Sequence, residues 1–188
     1  MKASHMYLSL ILAPAALSAV ALMPGCSTAP PDNQAKQDLT NESKTAITEM
    51  NRADPTLQHF IQQGYAYAVF PNVGKGAVGV GGAYGRGEVY QQGQLLGYAD
   101  LSQGSIGLQL GGQTYSELIV FESQQALQNF KDNKMEFTAN ASAVALKEGA
   151  SETAKFENGV AVFVHPTGGA MFEASVGGQQ FTFQPVTR

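Results

Sequence analysis

The chain contains no tryptophan and one cysteine, Cys26, among its 188 residues. A single thiol excludes a disulfide framework and a Cys-based structural zinc site. Charge is sparse: Asp, Glu, Lys and Arg make up 14% of the chain, where an ordinary globular domain carries about a quarter. The hydrophobic share of 44% is ordinary, which excludes bulk disorder. With 11 Lys+Arg against 15 Asp+Glu, net −4, the chain does not grip nucleic acid with its whole surface. Zinc-protease HExxH, the P-loop ending Gly-Lys-Ser/Thr and the nucleophile elbow GxSxG are all missing. What is abundant is glycine, at 21 residues.

The N-terminus reads as an address. After Lys2, the run Leu8–Leu22 is apolar and uncharged, but its 15 residues fall short of the roughly 20 of a spanning helix, and Pro14 interrupts it. Met23-Pro24-Gly25-Cys26 follows, and then a polar stretch with Pro30 and Pro31. A short apolar region, a small residue and then the sole Cys resemble a bacterial lipoprotein signal. In such signals the Cys thiol is diacylated and the Cys becomes the new N-terminus. Met23 stands where that signal prefers Leu, and Pro24 is uncommon there. The alternative is an ordinary cleaved secretory peptide. Cleavage after residue 25 leaves 163 residues; only Lys2 leaves the charge count, so 10 Lys+Arg face 15 Asp+Glu, net −5. Three acyl chains on Cys26, palmitate among them, exceed the two signals that stable anchoring needs. Residues 26–37 are expected to be a tether.

The rest, residues 38–188, reads as one domain. Asp38–Met50 places Leu39, Ala46, Ile47 and Met50 on one helical face. Asp54-Pro55 predicts a helix start carrying Leu57, Phe60 and Ile61, with Gly64 as its stop. Strand-like runs follow at Tyr65–Phe70, Val78–Tyr90, Gln94–Leu101, Ser105–Leu110 and Glu117–Phe121, with turns expected at Pro71-Asn72 and Gln92-Gly93. Ser123 caps a predicted helix with Leu127 and Phe130, while Phe137–Leu146 is open between helix and strand. Gly159–Val164, Ala170–Val176 and Gln180–Phe183 predict a meander turning at Pro166–Gly169 and Gly177-Gly178. The expected fold is α+β: a mainly antiparallel, twisted or small barrel-like sheet with a few short helices packed on it.

Gly74-Lys75-Gly76-Ala77-Val78-Gly79 satisfies the dinucleotide-binding pattern GxGxxG, and Asp100 lies about 20 residues on. The context rejects it, because Val80–Gly87 is too rich in glycine to open a helix and no βαβ alternation appears. His59 and His165 sit at no metal-ligand spacing, and no catalytic site or metal site is expected. A hydrolase built on His59 or His165 is the weakest alternative. Lys75 and Arg86 are the only cations between Arg52 and Lys131. Both lie in the glycine-rich segment, where backbone amides can face an anion.

Tyr65-Ala66-Tyr67-Ala68-Val69-Phe70-Pro71, Gly74-Lys75-Gly76, Gly81-Gly82, Tyr84-Gly85-Arg86-Gly87 and Gly107-Leu108-Gln109-Leu110-Gly111 together resemble the SYLF domain, over about residues 40–184. Asn140 stands where that family often has Asp. The resemblance implies a non-enzymatic lipid-binding domain without cofactors, with anionic phospholipid headgroups as ligand. Actin binding, found in some eukaryotic members, is not expected of an exported bacterial protein. The sequence reading is thus a lipoprotein of the outer membrane facing periplasm or cell surface, lipidated at Cys26, with Lys75 and Arg86 as headgroup contacts. Its alternative is an envelope module that binds a protein partner through exposed strand edges.

Overall fold

The computed structural model describes residues 27–134, 143–169 and 178–186; the side chains of residues 77–81 and 105–111 are outside the description. Helix α1 (Asn33–Ala53) starts five residues earlier than the apolar pattern predicts, because Asp32 caps it by accepting a hydrogen bond from the Ala35 amide at 2.8 Å. Residues 33–37, expected in a tether, are its first turns. Leu39, Ser43, Ala46 and Met50 form its buried stripe. The next helix, α2 (Leu57–Gln63), begins two residues after the expected Pro55. The Asp54 carboxylate folds back to accept from the Thr56 amide and hydroxyl at 3.1 and 2.6 Å, which delays the first helical turn.

Two strands of unusual length follow, β1 (Ala66–Gln91) and β2 (Gln94–Phe121), joined by the expected Gln92-Gly93 turn. Both turn residues have positive φ, 50° and 79°, the geometry that matches strand twist in a two-residue hairpin. The shorter predicted runs are joined end to end, since Pro71-Asn72 forms a bulge rather than a turn. The register slips between Phe70 and Val73, again between Val78 and Val80, and between Val89 and Tyr90. Bulges tolerate proline and sharpen bend and twist, so the ribbon curls until residues 85–87 of β1 lie against residues 69–73 of the same strand. Gly87 is required there: a Cβ would stand 2.6 Å from the Phe70 ring and overlap the Val69 carbonyl.

Helix α3 (Gln124–Lys131) is capped by Ser123 as expected. A short strand β3 (Val144–Ala145) runs parallel to β4 (Val160–Gly168), resolving the described end of the ambiguous Phe137–Leu146 stretch as strand. Strand β5 (Gln179–Pro185) completes the sheet. β4 pairs with β2 at Thr114–Phe121 and β5 pairs with β2 at Gly97–Gln103, both antiparallel. These flanking strands of the predicted meander therefore share β2 as partner; Ala170–Val176 lies outside the described residues. The result is the expected α+β fold with a curled antiparallel sheet, in the order β1-β2-β4-β3.

Alternation divides the core. Tyr115, Ile119 and Phe121 of β2 point into the curl, where the rings of Phe121, Phe130, Phe181 and Phe70 touch in sequence at 5.1, 5.0 and 5.8 Å between centroids. Leu118 and Val120 point outward and are covered by Met50, Leu57 and Phe60 of α1 and α2.

Candidate functional site

Lys75 sits on β1 opposite Gln113 of β2 and between two glycines whose Cβ positions face open space. The end of β4 completes its surroundings: Gly168 pairs with Thr114, and Gly169 turns away at φ +82°. These residues line a cleft of about 480 Å³ whose charged group is the Lys75 ammonium, with Thr114 and Gln113 beside it and no carboxylate in its lining. Small residues let a ligand approach the backbone closely, and one ammonium among amide and hydroxyl groups suits an oxyanion such as a phosphate. Lys75 was legible in the sequence; Thr114, Gly168 and Gly169 were not, because only the β2–β4 pairing brings them to it.

Arg86 is placed elsewhere. Its Nε donates to Asp100 at 3.1 Å and its Nη2 to the Ser27 carbonyl at 3.2 Å. The Tyr84 hydroxyl donates to the same Asp100 oxygen at 3.0 Å and receives Arg86 Nη2 at 3.4 Å. Burial works against the guanidinium's charge, but Asp100 outweighs it and raises its pKa. The two predicted cations are therefore not brought together: Lys75 faces the glycine cleft, and Arg86 ties the sheet to the N-terminal segment. Cys26 lies outside the described residues, one position before Ser27.

The histidines also stay apart. His59 is exposed on α2 and shares a 2.7 Å contact with Gln63. His165 is opposite Ser116 in the β2–β4 pair and lines a second cleft, about 360 Å³, between α1 and the sheet, together with Glu42, Glu49 and Asn72. Its Nδ1 is buried without a partner. Ser116 Oγ donates to the Pro71 carbonyl at 2.7 Å, so this serine supports the bulge. No group of three potential metal ligands occurs among the described residues.

Three buried acids went unnoticed in the sequence. Asp54 accepts from Thr56, from the Gly149 amide and from both the amide and hydroxyl of Ser151. Burial pushes its pKa up, yet these donors overcome it and hold the carboxyl at about 2. Glu88 accepts from Thr40 of α1 and from the Tyr90 hydroxyl, each at 2.7 Å, pinning α1 to the sheet. Glu117 is wholly buried inside the curl; burial raises its pKa to about 8, and the Gln179 amide, donating at 2.8 Å, only partly offsets that. The alternation of Glu117-Leu118-Ile119-Val120-Phe121, with Ile119 and Phe121 inward, is the signal that placed it there.

A curled α+β sheet with outer helices and a glycine-lined, cation-bearing cleft defines a binding domain in its architecture. Residues 102–185 match the family model described as Las17-binding protein actin regulator (Ysc84), and this part of the chain belongs to that family, the SYLF domain. The motifs from Tyr65 to Gly87 lie upstream of the matched stretch. The chain is also 24% identical over 149 residues to beta cell expansion factor A of Aeromonas veronii. That match covers 79% of this chain and 57% of the relative, so the chain spans little more than half of the relative's length.

Proposed function

We propose that the protein is a lipid-anchored component of the bacterial cell envelope whose SYLF domain binds the phosphate of phospholipid headgroups in the glycine cleft at Lys75. The observation that carries this reading is the cleft's composition: one ammonium, a hydroxyl, an amide and four glycines, with no acid to repel a phosphate. Membership of a binding family supports it, and actin contact, named for that family, is not part of the proposal. A single ammonium gives weak affinity. Acylation of Cys26 supplies proximity, since tethering raises effective concentration to about the millimolar range without new contacts. Arg86, engaged by Asp100 and Ser27, serves this function by holding the N-terminal segment rather than by reaching a headgroup.

Flotation of residues 27–188 with anionic and with zwitterionic vesicles tests the headgroup reading. Binding should favour anionic vesicles, weaken with salt, and drop about tenfold in Lys75→Ala, the worth of one charge-assisted contact. Equal failure to float with both lipids would sink it. Mass spectrometry of the mature N-terminus separately tests acylation of Cys26 and, with it, the outer-membrane location.

A further inference from the structure

We infer that the face formed by Ser27–Pro30, Tyr84 and Arg86 lies flat on the bilayer that holds Cys26. The inference rests on the lipid-anchor reading above and adds which surface meets the membrane. A free tether of residues 27–37 would let the domain roam about 18 Å from its anchor. The structure removes that slack. Ser27 Oγ and the Ala29 amide both donate to Gln184 Oε1 at 3.0 Å, and the hydroxyls of Thr28 and Thr182 lie 3.2 Å apart. Arg86 holds the Ser27 carbonyl, and Thr28 and Pro30 are buried. The chain is thus fixed to β5 and β1 up to the residue that follows Cys26, and consecutive Cα atoms are only about 3.8 Å apart.

The surface at this docking point suits a bilayer. Tyr84, 53% exposed, is the one large hydrophobic side chain exposed among the described residues. It sits two residues from Arg86 on the same strand face, with its hydroxyl held by Asp100. An amphipathic ring beside a guanidinium is the pairing that settles at the headgroup level. Gln180 and Thr182 of β5 are exposed and uncharged, and the Asp100 carboxylate is already neutralised by Arg86. Little charge must therefore be desolvated when this face touches lipid.

The chain's composition makes the test clean. The mature chain, Cys26–Arg188, can be coupled through its only thiol to a maleimide phospholipid in neutral vesicles, and Tyr84→Trp supplies its only tryptophan. Emission from the Tyr84→Trp variant is expected to shift to the blue and to lose about half its intensity with brominated acyl chains, as interfacial tryptophans do. Gln58→Trp on α2 is expected to show neither change. A flexible Gly-Ser insertion between Cys26 and Ser27 is expected to cut the quenching of the Tyr84→Trp variant at least about twofold. Unshifted, unquenched emission from that variant in fully coupled protein overturns the inference, as does quenching that survives the insertion intact. Chemical coupling in neutral lipid makes the result independent of cellular acylation and of the Lys75 cleft, so failure here is separable from failure of either.

Discussion

Glu117 and Asp54 are both buried, yet their environments drive their titrations in opposite directions. Glu117 has one amide donor and apolar walls, and its pKa rises to about 8. An unfolded Glu titrates near about 4.3, so between these values the folded state keeps a proton that the unfolded state has lost. Stability contributed by this site is fully present below about pH 4 and falls as pH rises toward 8. Glu117→Gln keeps an acceptor for Gln179 and removes the titration; urea unfolding should find it more stable by about 1–3 kcal/mol at about pH 8, with little difference at about pH 4. Asp54 is held at about 2 by donors from Thr56 and Ser151, below the unfolded value of about 3.9. Its contribution is present above about pH 4 and lost as pH falls through about 2. Asp54→Ala should cost about 2–3 kcal/mol at neutral pH, because the donors of Thr56, Gly149 and Ser151 lose their acceptor, and should flatten the acid limb of the stability curve.

At the scale of elements, the long hairpin is held by where its glycines lack room. Gly87 and Gly97 are pressed against neighbouring carbonyls and the rings of Phe70 and Phe183, whereas a Cβ on Gly104 meets nothing within 4 Å. Gly87→Ala should lower stability by about 1–3 kcal/mol through overpacking, while Gly104→Ala should fall within about 0.5 kcal/mol of the parent. Thermal melts of the pair decide whether the strand folds back on itself; equal Tm values would contradict the curl. The runs Tyr65–Phe70 and Glu117–Phe121, the Gln92-Gly93 turn and the α3 cap were legible locally. Their fusion into strands of 26 and 28 residues was not, because a glycine or a bulged proline looks like a turn in sequence and becomes ladder only when a partner strand supplies hydrogen bonds.

For the whole molecule, two layers of apolar side chains on either face of one sheet account for its organisation, and the polar sites lie where strands distant in sequence meet. The sequence by itself determined the α+β class, the excess of glycine between Gly64 and Gly112, the sole thiol at Cys26 and the candidacy of Lys75. Periodicity, turn chemistry and composition are local properties that any reading of the chain exposes. Only the tertiary structure decided that Lys75 gains Thr114, Gly168 and Gly169 as neighbours and that Arg86 is spent on Asp100 and Ser27. It also decided that the stretch after Cys26 is docked along β5 instead of swinging free. Each of these depends on which strand pairs with β2 and in what register, and that is set by burying Phe70, Phe121 and Phe181 in one core, a long-range outcome no short window of sequence contains.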